Sequence, residues 1–212
     1  MSVTIIFVII SGILSILAFN RRELIDKLIG WPYRTAQSGE YYRLFTSGLI
    51  HADYIHLFIN LFVMYEFGRF VEAMYGQLFA EYGKLLYALL IVLGVIIPNT
   101  IDYFLHKGKS YYRSLGASGT VSAVLFAYVL FNPWSKIYLY GIIPIYTVLA
   151  AILFVVYSIY QDRKAQGNIN HMAHLSGALF GFLFTLLLKP ELWSYFIQQL
   201  ISFALLFGLA LL

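Results

Sequence analysis

Apolar residues fill long stretches of this chain, and polar ones collect in the gaps between them, without the polar outer face that a helix of a soluble protein presents. Such runs occupy residues 3–19, 55–75, 83–105, 115–131, 137–160 and 172–188, and a further one covers 192–212. Crossing a hydrocarbon core of ~30 Å takes about 20 helical residues, and lipid offers backbone amides no partner, so these runs are expected to be membrane helices. The seventh is expected to span as well, rather than lie in the interface, because its apolarity is nearly continuous. Pro98 is expected to kink the third run, and Pro144 lies near the start of the fifth. The first run could be mistaken for a signal peptide, but it lacks a basic leading region and a convincing small-x-small cleavage site before Arg21-Arg22. The fold expected from this pattern is all-α, a polytopic transmembrane helix bundle.

Composition agrees with lipid as the solvent. Hydrophobic residues make up 61% and charged residues 11%, with a mean hydropathy of +0.78, where soluble domains carry about 25% charged residues. The absence of cysteine removes a disulfide framework, thiolate nucleophiles and Cys-ligated metal. The net charge of +4 is dispersed over short loops and needs only lipid headgroups as partners. No basic run interleaved with aromatics suggests nucleic acid, and no repeat divides the chain into two domains.

Counting helices places the polar residues. Runs two, four and six all begin on the same side of the membrane, so His51, His56, Ser118, His171 and His174 gather near one face. Ten Lys and Arg residues lie on that side, from Arg21 to Lys164, against Arg69, Lys84, Lys136 and Lys189 on the other. Taken alone, that asymmetry puts the polar face in the cytoplasm.

Ser118 stands in Gly116-Ala117-Ser118-Gly119, where a loop turns into a helix. Glycines permit close backbone approach there, and free amides of the first turn can bind an oxyanion. In isolation the same serine reads as a helix cap. His174 shares a helix face with Gly177 and Gly181, a small-residue strip suited to close helix contact, and the fourth run offers its own strip in Gly119, Ala123 and Ala127. Packing the two strips would bring Ser118 and His174 within hydrogen-bond reach. His56 and Asn60 are one helical turn apart on the second run, and both could donate toward a developing negative charge or act as interhelical glue. His171 reads as a solvated loop histidine at the mouth of the site.

These separated motifs resemble the rhomboid family of intramembrane serine proteases. The resemblance rests on Gly116-x-Ser118-Gly119, on Ala173-His174-x-x-Gly177 followed by Gly181, and on His51-x4-His56-x3-Asn60. Tyr42-Arg43 is similar to the Trp-Arg motif of the family's first loop, and Gly68-x-x-x-Glu72 to the end of its second helix. The resemblance covers residues 1–190 and implies a six-helix catalytic core, with 191–212 as an additional C-terminal transmembrane helix. It implies a Ser118–His174 dyad without a catalytic acid, and an oxyanion hole formed by His56, Asn60 and the Ser118 amide. Gly116, Ala117 and Gly119 would shape the substrate loop, while His51, Arg43, Glu72, Gly177 and Gly181 would give structural support. Substrates would be transmembrane helices of other proteins, unwound near a small residue, with no cofactor and no metal. The implied setting is a prokaryotic plasma membrane with the catalytic face outward, opposite to the charge count.

Two positions depart from the family pattern. Tyr42 replaces the usual tryptophan, and Ser122 stands where some members carry a tyrosine that packs on the catalytic imidazole. Rival chemistries fit less well. His171-x-x-His174 lacks the glutamate and the spacing of a membrane zinc protease, and Asp102 is the only aspartate within a run, where an aspartyl protease needs two. A non-catalytic rhomboid-like escort for membrane helices is the alternative from another class, and a transporter is disfavoured by the lack of matching halves.

Overall fold

The computed structural model describes residues 1–139, 142–164 and 170–210. Its helices are α1 (Val3–Phe19), α2 (Arg22–Leu28), α3 (Pro32–Ser38), α4 (Arg43–Thr46), α5 (Tyr54–Phe79), α6 (Gly83–His106), α7 (Ser118–Phe131), α8 (Thr147–Lys164), α9 (His171–Leu188) and α10 (Glu191–Ala210). The architecture is an all-α membrane bundle with one small hairpin at its edge.

The helices are built inside out, as lipid demands. On α1 the face turned inward carries Thr4, Ser11, Ser15 and Ala18, while Ile5, Ile9, Ile13 and Ile16 face outward. Small and hydroxylated residues let helices approach and bond, and the branched aliphatics meet acyl chains. Thr4 Oγ1 meets the Tyr87 hydroxyl of α6 at 2.9 Å. At the start of α1, Glu72 of α5 accepts from the amides of Val3 (2.7 Å) and Thr4 (3.1 Å) and from the Ser2 hydroxyl (2.5 Å). A carboxylate placed on otherwise unpaired first-turn amides satisfies them and complements the helix dipole.

α7 lies at the centre, packed against α5, α6 and α9. Gly119 through Val124 are all buried, as are Ala127 and Val129 through Phe131, so no residue of this helix is fully exposed. At 14 residues it rises only ~21 Å, too short to cross the hydrocarbon core alone. One of its ends therefore lies at membrane depth.

Two expectations need correction. Residues 137–139 and 143–146 are not helical: Lys136–Leu139 (β1) and Ile143–Tyr146 (β2) pair antiparallel, with Ile137 opposite Ile145 and Tyr138 opposite Pro144. Branched and aromatic side chains favour strands, and Pro144 has no amide to give a helix. The fifth helix instead begins at Thr147, whose amide (2.9 Å) and hydroxyl (2.8 Å) both donate to the Ser135 carbonyl. The fourth begins at Ser118 rather than 115, because Gly116 takes a φ of +128° that no helix permits. α10 covers most of the seventh run, whose last two residues lie outside those described.

Candidate active site

The loop before α7 is held backbone atom by backbone atom. Gly116 donates its amide to the Ser47 carbonyl at 2.9 Å, and the Ala117 amide points at His51 Nε2 at 3.4 Å. A side chain at Gly116 is excluded twice, by its φ of +128° and by the His56 ring, whose Cε1 would lie 2.7 Å from a Cβ. His56 therefore lies directly over the turn that presents Ser118. The first bond inside α7 runs from the Val121 amide to the Ala117 carbonyl at 2.9 Å, so the amides of Ser118, Gly119 and Thr120 precede the helical ladder.

His51, in the loop before α5, is fully buried. Burial, reinforced by the neighbouring His56 and opposed by Asp53, pulls its pKa from 6.5 to about 3. Because Nε2 accepts from Ala117, the proton of the neutral ring sits on Nδ1 and is donated to Ser15 Oγ at 3.0 Å. Ser15 and Ser11 in turn stand 3.4 Å and 2.9 Å from the Leu49 carbonyl. His51 and His56 meet edge to face with ring centroids 5.0 Å apart. Asn60 is buried one turn below His56, and its amide donates to the His56 carbonyl at 2.8 Å, leaving one N–H uncommitted by that bond.

α9 meets α7 without intervening side chains. A Cβ on Gly177 would land on the Gly119 carbonyl oxygen, and one on Gly181 on the Ala123 carbonyl oxygen. The contacts advance four residues on each helix, so the two run in the same direction in fixed register. Ala173 reaches the seam as well, its carbonyl 3.5 Å from where a Gly119 Cβ would lie. Ser118 and His174, each next to a seam residue, thus stand at the same end of the helix pair. Both are half-buried. Among the described residues no direct hydrogen bond joins them.

His174 is held from α8: the Phe154 ring stacks on it at 5.8 Å with 26° between planes. Ser122, at the position of the family's packing tyrosine, is buried in the bundle. Sequence reasoning missed Phe154, since an apolar residue inside an apolar run gives no signal. It missed Asn170 too, whose side chain caps α9 by accepting from the Ala173 amide at 2.9 Å. His171 requires correction: it opens α9, is only 6% exposed, and packs against Tyr157 (5.8 Å) and His174 (6.0 Å). The helix starts early enough to draw it out of the loop and into the bundle.

In the first loop Arg43 is buried, and its guanidinium donates to Glu40 (2.5 Å) and to the carbonyls of Asp26 (2.8 Å) and Ile29 (2.9 Å). Although desolvation works against it, Glu40 is held below the ordinary carboxylate range by hydrogen bonds from Arg43 and Arg34. Tyr42 is exposed, with the Arg43 guanidinium 5.4 Å from its ring centroid. Chemically, the site offers a hydroxyl beside unpaired amides, with imidazoles and a carboxamide around it.

Residues 38–191 match the rhomboid domain family. The chain is 27% identical to RHOMBOID-like protein 12, mitochondrial, of Arabidopsis thaliana over 158 residues, which is 67% of this chain and 45% of that protein. It is 30% identical to Rhomboid protease GluP of Bacillus subtilis (strain 168), covering 81% of this chain and 31% of that one. With Rhomboid-like protein 11, chloroplastic, of Arabidopsis thaliana the identity is 32%, covering 70% and 53%. The chain thus spans less than two thirds of the length of each of these relatives. A membrane bundle with this loop and this helix seam, and a family match over most of its length, make the chain a member of the rhomboid family.

Proposed function

We propose that this protein is an intramembrane serine endopeptidase that hydrolyses peptide bonds in or near the transmembrane helices of other membrane proteins. The observation that carries the proposal is the α7–α9 seam, a close contact of two helices that run in the same direction, with Ser118 and His174 at the same end of the pair and α7 too short to cross the membrane. Ser118 Oγ attacks the substrate carbonyl while His174 takes its proton. The negative charge then formed on the carbonyl oxygen is met by the Ser118 amide, His56 and Asn60. On collapse, His174 returns the proton to the departing amine, and water hydrolyses the acyl-enzyme by the same route. In this reading residues 1–190 form the catalytic core and 191–212 add a further membrane helix.

In this reading the Ser118 end of α7 is the one at membrane depth, so a substrate helix must unwind to reach it. Supporting this, the amides beside Ser118 precede the helical ladder and Gly116 leaves the approach free of a side chain. The test is cleavage of a reporter transmembrane helix by the full chain in proteoliposomes. Cleavage is expected in the wild type and lost in Ser118→Ala. A wild type that binds the reporter without cutting it would favour the escort reading, and unchanged cleavage by Ser118→Ala would refute the assignment of the nucleophile.

A further inference from the structure

Asp102 has no part in the chemistry above, yet it is an acidic residue almost wholly buried in the bundle. It lies about one turn before the C-terminal end of α6 and is 1% exposed. Burial and the helix dipole, whose C-terminal end is negative, both oppose a carboxylate there. What offsets them is a set of donors from the loop that leads to Ser118. Oδ1 accepts from the Tyr112 hydroxyl at 2.7 Å, and Oδ2 from the Ser114 hydroxyl at 2.8 Å. His106 completes the cluster: its Nδ1 is 2.9 Å from Oδ1 and 3.0 Å from the Asp102 carbonyl, and its ring lies flat on that of Tyr112, 3.7 Å between centroids. With acceptors on both sides, Nδ1 carries the proton.

Ser114 is four residues before the nucleophile, and its backbone is fixed as well. It exchanges both hydrogen bonds with Gly30, each 2.9 Å long, and Gly30 fits only because a Cβ would come within 2.8 Å of Ser114 Oγ. Two residues on, Gly116 is tied to Ser47, and the chain then turns into α7. The path from the Asp102 carboxylate to Ser118 is therefore one side-chain bond followed by a short segment without slack.

We propose that Asp102 is a positioning residue for hydrolysis: through Ser114 and Tyr112 it latches the segment that carries Ser118, and so sets where the nucleophile stands relative to His174. This rests on the reading of Ser118 as nucleophile, but the latch itself can be observed without catalysis. In the full chain, Ser114→Ala is expected to raise amide hydrogen exchange across residues 115–120 about tenfold. It is also expected to slow fluorophosphonate labelling of Ser118 about tenfold, with KM for a reporter helix unchanged. Asp102→Ala should behave like Ser114→Ala. Asp102→Asn should stay within ~3-fold of wild type, because a carboxamide can still bond both hydroxyls. Should Asp102→Ala fail to fold, Ser114→Ala and Asp102→Asn carry the test. Wild-type exchange in Ser114→Ala would overturn the latch, and faster exchange with unchanged labelling would overturn its role in positioning Ser118. A wild type protected in exchange but unlabelled at Ser118 would instead contradict the protease reading.

Discussion

The imidazole of His51 is bonded on both sides, by the Ala117 amide and by Ser15, and this requires the neutral ring. Its folded pKa of about 3 lies below the ordinary 6.5, so between these values the unfolded chain binds the proton that the folded chain refuses. The stability it contributes is therefore complete above pH 6.5 and is lost as pH falls toward 3. Unfolding midpoints measured in detergent across that range should fall with pH. His51→Gln, which can bond both partners but does not titrate, should flatten the fall; an equally steep profile in the variant would show that His51 is not the group responsible. Its place in the His51-x4-His56-x3-Asn60 motif was legible from the sequence, but its partners were not. Ser15 lies 36 residues away, on the inner face of α1, and no local pattern announces the pairing.

Among the helices, the contact between α7 and α9 decides the geometry of the site. Gly177 and Gly181 meet carbonyl oxygens of α7, so neither helix can rotate or shift without separating the pair. Gly177→Ala or Gly181→Ala should each cost ~1–3 kcal/mol or more, as overpacking does, and should depress reporter cleavage along with stability. Gly76 is an internal control: it lies within α5 with no atom near a prospective Cβ, so Gly76→Ala should stabilise by about 0.5–1 kcal/mol. Comparable losses at all three positions in thermal unfolding would contradict this account of the seam. The small-residue strips were readable because glycine at helical spacing in lipid has few other uses. The pairing of β1 with β2 was not, because a short apolar segment that contains a proline reads as a helix start until its pairing is known. Phe154 escaped for a related reason, since it acts across helices on His174, and Asp102 was legible only as a lone aspartate, because its donors Tyr112 and Ser114 lie in the loop after α6, where no pattern marks them.

At the scale of the whole molecule, composition fixed the solvent, and the solvent left helices as the means of spanning it. Counting those helices gathered the polar residues on one face before any coordinates, because alternate crossings must return to the same side. Counting cannot supply depth. The 14 residues of α7 place one of its ends inside the membrane, and that shortness follows from the left-handed Gly116 and the loop bonds that hold it. The central claim joins this depth to a chemistry, the pairing of Ser118 with His174. Its most direct test is fluorophosphonate labelling of the full chain in proteoliposomes, with the modified residue identified by mass spectrometry. Modification at Ser118 in the wild type, abolished in His174→Ala, is the predicted result; labelling of Ser118 that is indifferent to His174, or labelling at another serine, would contradict it.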